Sequence, residues 1–165
     1  MINIAIIDDD KTFCDDFKEQ IEKINNSYNT DCYYDINTFL ESVSSYNIAV
    51  IDIMLGKDNG IDIASVITEK YPNIKIIFIS VEQDFFQDVY SVNHLYFLVK
   101  PISNEQLKQA LSVCCSEINK QTLYTKLGSG TTAINLNDVS YFEGILKKTI
   151  VHYVNAPKQT LNEPL

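Results

Sequence analysis

Asp8 and Asp9 follow the run Ile-Ala-Ile-Ile, Asp52 interrupts Ala-Val-Ile-Asp-Ile, and Lys100-Pro101 follows Tyr-Phe-Leu-Val. Each charge thus sits where a buried-looking run stops. Strands of a parallel sheet that end in charges at one edge bring those side chains together in the crevice where open α/β folds bind ligands. Three carboxylates converging from two strand ends repel one another and raise each other's pKa unless a cation sits among them. Magnesium fits that need, because it takes a few carboxylates, keeps several waters and completes its octahedron with phosphate oxygens. A carboxylate left facing such a phosphate is a nucleophile able to form an aspartyl phosphate. Lys100 then neutralises the transferred group. Ser80, just after Ile-Ile-Phe-Ile, ends a further strand at the same edge and supplies a hydrogen-bond donor.

The elements that must position these groups are legible as periodicities. Ile2 to Ile7 is a short apolar run, followed by Phe13, Phe17, Ile21 and Ile24 at helical spacing, with Asp10 as N-cap or simply a solvated carboxylate. The same alternation recurs through Thr30 to Tyr34 and Phe39 to Val43, Ile48 to Ile53 and Ile61 to Ile67, and Ile74 to Ile79 and Phe85 to Tyr90. Leu95 to Val99 is the fifth strand; Leu107, Leu111, Cys114 and Ile118 stripe the fifth helix, whose start is signalled by Ser103 and Glu105. Five β/α rounds predict an α/β fold, a flavodoxin-like doubly wound (βα)5 parallel sheet over residues 1–120. The texture then changes. Leu123 to Leu127, Thr132 to Leu136, Val139 to Phe142 and Thr149 to Val154 read as short strands, a short incomplete all-β segment over 121–165 with no further element to cover its last strand.

Composition narrows the class. With 45% hydrophobic and 21% charged residues in 165, the chain is a soluble globular type, and no run approaches the roughly 20 apolar residues of a membrane helix. The N-terminus lacks the basic start and cleavage site of a secretory signal, which predicts the cytoplasm and no membrane partner. Cys14, Cys32 and the adjacent Cys114 and Cys115 match neither a metal-ligand spacing nor a disulfide framework and read as reduced structural thiols. The formal charge is -9, and only 3 of the 22 acids lie after residue 120, against 4 of the 13 lysines. There is no arginine, so the chain as it stands is a poor nucleic-acid binder. His94 and His152 belong to no triad or ligand spacing and read as structural or surface residues.

Asp8-Asp9, Asp52-Ile-Met-Leu with Gly60 eight residues on, Ile-Ser80 and Phe97-Leu-Val-Lys100-Pro101 together resemble the receiver domain of a two-component response regulator. The resemblance implies that Asp52 is the phosphoacceptor, taking phosphate from a sensor histidine kinase. It implies that Asp8, Asp9, Asp52 and the backbone carbonyl of Met54 hold Mg2+, Asp9 directly and Asp8 partly through water. It further implies that Ser80 and Lys100 contact the phosphoryl oxygens, that Ser80 and Phe97 form the switch, and that the bond before Pro101 is cis. Such a protein is no enzyme beyond its own phosphorylation and dephosphorylation. Its responding surface, the fourth helix to the fifth helix, implies a homodimer, with Phe85, Phe86, Val89 and Tyr90 as candidates to face a partner; packing of all four in the core is the alternative.

Three residues depart from the receiver pattern. Gly56 replaces the usual proline four residues after the acceptor, predicting a more mobile loop over Leu55 to Asn59. Val81 replaces the usual alanine or glycine, and Met54 adds a long apolar side chain; both predict slow turnover of the aspartyl phosphate. The tail, Ala133-Ile-Asn-Leu-Asn-Asp138-Val-Ser-Tyr141-Phe142-Glu143 followed by Ile150-Val-His-Tyr-Val, resembles the opening strands of a LytTR-type DNA-binding domain. That implies DNA as partner of a full-length form, with Lys147 and Lys148 near it, although a two-lysine turn is also an ordinary solvated hairpin. The chain is thus expected to be a truncated transcriptional regulator; the alternative is a receiver acting through protein–protein contact or as a phosphate relay or sink, its tail serving as a dimer arm or exchanging strands with a second copy.

Overall fold

The computed structural model describes every residue except Met1, Gln83, Asp84, Phe86, Gln87, Gln121, Gly128, Ser129, Lys147 and 162–165, and gives only the backbone of Lys126, Leu127 and Gly130. The described residues form two compact units, Met1–Cys115 and Ser116–Leu165.

In the first unit, β1 (Ile2–Ile7), β2 (Tyr28–Tyr33), β3 (Ile48–Asp52), β4 (Lys75–Ser80) and β5 (Tyr96–Val99) make one parallel sheet in the order β2-β1-β3-β4-β5. That is the doubly wound arrangement expected from the alternation. The chain reverses direction across the sheet between β1 and β3, so a crevice opens at their carboxyl ends. Helices α1 (Lys11–Ile24), α2 (Ile36–Ser42), α3 (Gly60–Lys70) and α4 (Asn104–Lys120) connect or follow the strands.

Alternation along the strands feeds both faces. Ala5, Ile7, Ala49, Ile51, Ile76 and Phe78 pack with Phe39 of α2 and Ile61, Ala64 and Ile67 of α3 in one core. The intervening Ile4, Ile6, Val50, Ile77 and Ile79 are equally buried, as are Cys14, Phe17 and Ile21 of α1 and Leu107, Leu111 and Cys114 of α4. Asp10 is the cap expected of it: its Oδ1 accepts from the Thr12 and Phe13 N–H groups at 3.0 and 3.1 Å. α4 starts as expected, with Glu105 in its first turn, and Ser103 forms a capping box with Gln106. The Ser103 Oγ accepts from Gln106 N at 3.3 Å while Gln106 Oε1 accepts from Ser103 N at 3.0 Å.

One local expectation is revised. Where a fourth helix was expected over Phe85 to Tyr90, the described residues hold a 3-10 turn, Asp88–Ser91. Ser91 Oγ donates back to the Asp88 carbonyl at 2.7 Å, the local competition that makes serine a poor helix-interior residue, and Val89 and Val92 are β-branched. Val89 is buried and Phe85 packs on the core, whereas Tyr90 is 67% exposed; Phe86 lies outside the described residues. The loop after Asp52 is a small antiparallel hairpin pairing Met54 with Asn59 and Leu55 with Asp58. Gly56 has φ +59° at its first turn position, a conformation glycine takes freely and proline not at all. The glycine is therefore what shapes the turn.

In the second unit, β6 (Thr122–Leu127) and β7 (Gly130–Asn135) form one hairpin. β8 (Val139–Ile145), β9 (Lys148–Tyr153) and β10 (Gln159–Leu161) form an antiparallel three-stranded sheet. The expectation that nothing covers the last strand is corrected, because β10 pairs with the free edge of β9. Its apolar signal is a single leucine, Leu161, which packs with Ile134 and Val151; Gln159 is held by Tyr153 Oη at 2.6 Å.

Candidate functional site

Register places the charges. Ile7 pairs with Ile51 and Ser80 with Val99, so Asp8 emerges beside Asp52 and Lys100 beside Ser80 at one sheet edge. Backbone bonds fix the ends: Asp8 N–H donates to the Tyr33 carbonyl at 3.0 Å, Ile53 N–H to Ile79 at 3.0 Å and Lys100 N–H to Ser80 at 2.8 Å. The Lys100–Pro101 bond is cis.

Lys100 Nζ bridges the cluster, 2.6 Å from Asp8 Oδ2 and 2.6 Å from Asp52 Oδ2. Asp8 is 1% exposed and Asp52 is buried, while Asp9 is exposed, and oxygens of all three lie within 4.8 Å of one another. Asp8 Oδ1 also accepts from Asp10 N–H at 2.9 Å, and Asp52 Oδ1 from Met54 N–H at 3.1 Å, which ties the Met54 backbone to the acceptor strand. Burial pushes the Asp8 carboxyl above its ordinary value against the hydrogen bond from Lys100, and the charge of Asp52 adds to the rise. Burial alone would lower Lys100; its hydrogen bonds and charge contacts with Asp52 and Asp8 outweigh that and raise it. Three carboxylates around one ammonium leave about two negative charges uncompensated, so a hard divalent cation fits this donor set.

Two glycines shape the rim. A Cβ on Gly60 would stand 2.1 Å from the Asp52 carbonyl oxygen, so only glycine lets α3 start this close to the acceptor strand. At Gly56 a Cβ would meet, among the described residues, Asp9 Oδ2 at 3.6 Å. Ser80 is fully buried, and its Oγ accepts from Glu82 N–H at 3.1 Å. Phe97 is half-buried against the core and, with Tyr90, His94 and Tyr96, lines an open depression of about 720 Å³. Val81, 63% exposed, lines a second depression of about 400 Å³ beside Lys100, together with Phe13 and Phe17. Met54, 50% exposed, lines a third with Gly56 and Phe85.

Sequence reasoning placed Phe13 in the buried stripe of α1 and so missed its position: its ring centroid lies 4.1 Å from Lys100 Nζ. The available signal was its place in the first helical turn, three residues after the capping Asp10. Lys148 is exposed at the start of β9; Lys147 lies outside the described residues. His152 pairs with Glu143 at 2.9 Å and stacks on Tyr141, and His94 Nδ1 lies 3.0 Å from the Val92 carbonyl, so both make structural contacts.

Residues 4–112 match the response regulator receiver domain family. The chain belongs to that family. The receiver is 25% identical over 114 residues to the sensory transduction protein LytT of Bacillus cereus, covering 67% of this chain and 46% of that one. The protein of that name from Bacillus anthracis matches at the same identity and coverage, so the chain spans about half the length of the curated relatives it matches. Among solved structures, a CheY-like receiver domain protein from Methanospirillum hungatei JF-1 superposes with a TM-score of 0.65 at 22% identity, covering 73% of this chain and 98% of that one. TrrA of Thermotoga maritima, solved in complex with Mg(2+)-BeF, gives 0.62 at 21% identity over 69% and 99% of the two chains. At these identities the likeness is one of fold. Among the described residues of the receiver no helix is long and apolar enough to cross a membrane.

Proposed function

We propose that this receiver accepts a phosphoryl group on Asp52 from the phosphohistidine of a sensor histidine kinase and passes the signal to a DNA-binding output. The observation that carries the reading is the bridged cluster, Asp52 and Asp8 each 2.6 Å from Lys100 Nζ with Asp9 beside them. Asp8, Asp9, Asp52 and the Met54 carbonyl would hold Mg2+, which when bound draws charge from the phosphate oxygens. An Asp52 carboxylate oxygen attacks phosphorus, the N–P bond to the imidazole breaks, and the electron pair leaves with the histidine nitrogen. The Lys100 ammonium, released from bridging two carboxylates, compensates the negative charge delivered to Asp52. Ser80 Oγ, which accepts from Glu82 N–H here, turns its hydroxyl to a phosphoryl oxygen; its movement away from that backbone bond leaves room for Phe97 to turn inward. Dimerisation through the surface that includes the 67% exposed Tyr90 would follow.

The output reading rests on the all-β second unit and on the LytT relatives. Residues 121–165 would be the opening strands of a LytTR-type domain, with Lys147 and Lys148 at the hairpin that approaches DNA. Val81, which lines the depression beside Lys100, and Met54, whose N–H is bonded to Asp52, support slow hydrolysis of the aspartyl phosphate; a lifetime of seconds in isolated protein with magnesium would argue against it.

The test is acetyl phosphate or beryllofluoride with magnesium, followed by intact mass, size and DNA binding on this chain and on a longer version. Labelling that disappears in Asp52→Asn supports the proposal. An inert wild type, or labelling that survives Asp52→Asn, refutes it.

A further inference from the structure

We propose that Phe13 is a positioning residue for phosphotransfer, holding the Lys100 ammonium by cation–π contact at the crevice; this rests on the receiver chemistry proposed above. An ammonium has three donors. Two are directed to Asp8 and Asp52 at 2.6 Å, and the ring of Phe13 covers the same nitrogen at 4.1 Å, within the range of a cation–π contact. The side chain of Lys100 is only 14% exposed, so ring and carboxylates together replace most of its water. Partial desolvation is what makes the face of a neutral ring a useful partner for a cation.

Phe13 is itself fixed. It stacks on Phe17 with centroids 5.1 Å apart and 20° between planes, and Phe17 is 2% exposed. The N–H of Phe13 is bonded to the Asp10 cap at 3.1 Å, so helix start, ring and ammonium form one connected unit. Asp10 N–H in turn donates to Asp8, one of the carboxylates bound to Lys100. When the ammonium moves from two carboxylates to a phosphoryl group it keeps one contact that needs no charge rearrangement. The flexible lysine stem is thereby confined to a small arc, and the orientation of its charge is settled before phosphate arrives.

A purely packing role and a cation–π role predict different series. Phe13→Leu keeps an apolar side chain without a π face, Phe13→Tyr keeps the face, and stepwise fluorination of Phe13 by incorporated analogues drains the ring's negative face at nearly constant size. Initial rates of Asp52 labelling by acetyl phosphate with magnesium are expected to fall about three- to tenfold in Phe13→Leu, to stay within about twofold in Phe13→Tyr, and to decline steadily with fluorine count. Substituting Phe13→Leu in a Lys100→Met background should change the residual rate by less than about twofold, because the partner is gone. The Lys100 ε-methylene protons should be shifted upfield by the ring current in wild type and return in Phe13→Leu. A fluorine series without trend, or an equal Phe13→Leu effect with and without Lys100, overturns the proposal. Full labelling of wild type with unchanged rates in Phe13→Leu also overturns it while leaving the receiver chemistry standing. A wild type that takes no phosphate overturns both.

Discussion

Gly60→Ala should damage the phosphoacceptor from a position that carries no functional group. The added methyl would lie 2.1 Å from the Asp52 carbonyl oxygen, and 3.0 Å from both the Asp52 carbonyl carbon and Ile51 Cγ2. Reaching even the 3.0 Å below which such contacts are essentially unknown requires a displacement of about 1 Å, and the obstructing atom is backbone, not a side-chain tip. Either α3 lifts off or the end of β3 moves. Gly60 N–H donates to the Ile53 carbonyl at 2.9 Å, so the two are tied and both are disturbed. The Asp52–Lys100 contact is 2.6 Å, and about 1 Å added to it leaves hydrogen-bond range.

Alanine is the better helix former by about 1 kcal/mol in a helix interior, less at the first position that Gly60 occupies. Overpacking a rigid contact costs about 1–3 kcal/mol, so the clash decides the sign. The net expectation is a loss of about 1–2 kcal/mol, read as a lower urea midpoint at unchanged slope. Labelling of Asp52 by acetyl phosphate should fall by at least about tenfold, since misplacement by about 1 Å can cost roughly a hundredfold. A Gly60→Ala protein with the wild-type midpoint and a rate within twofold would refute the reasoning.

Placing the proline usual in receivers here, Gly56→Pro, should destabilise by roughly 1–3 kcal/mol, because the ring fixes φ near −65° and Gly56 sits at +59°; urea unfolding of the pair of proteins checks it. Val81→Ala should shorten the aspartyl-phosphate lifetime by roughly two- to tenfold, within the about 1.4 kcal/mol that a factor of ten represents, measured by decay of labelled protein after donor removal. Burial pushes the Cys114 thiol up to about 12, so at pH 8 only roughly one molecule in ten thousand carries the thiolate, and burial likewise raises Cys14. Both should resist a disulfide reagent in native protein and react at once in denaturant; fast native labelling at either position, located by peptide mapping, would contradict their placement.

The sequence exposes this fold most clearly where a strand is buried on both faces. Ile4 to Ile7, Ile48 to Ile51 and Ile76 to Ile79 are continuous apolar runs with no exposed residue, and each lies within a strand. A carboxylate ending such a run is conspicuous because burial would otherwise forbid it, which is why Asp8 and Asp52 were legible. Polar and short elements were not. β10 carries one buried apolar side chain, and the sequence from Phe85 to Tyr90, which leads into the turn at Asp88–Ser91, offers the same scatter of Phe, Val and Tyr that an amphipathic helix would. Phe13 shows a deeper limit. Its spacing to Phe17 is that of any buried stripe, and nothing in the periodicity separates a ring packed under a sheet from one turned toward a cation.

What separates them is position along the helix rather than around it. A first-turn residue of α1 sits at the carboxyl edge of the sheet, within reach of the charged ends of neighbouring strands as well as of its own helix's buried stripe. The same argument accounts for Gly60 at the first position of α3: the edge that gathers Asp8, Asp52 and Lys100 also forces the helix starts against them. In a doubly wound sheet, then, first-turn residues of the flanking helices belong to the site by topology, and their chemistry deserves reading alongside that of the strand ends. Gly60 acts through the space it leaves for the acceptor backbone, and Phe13 through the ring it presents to the ammonium. The two test the principle independently, because Gly60→Ala moves Asp52 with Lys100 intact while Phe13→Leu releases Lys100 with Asp52 in place.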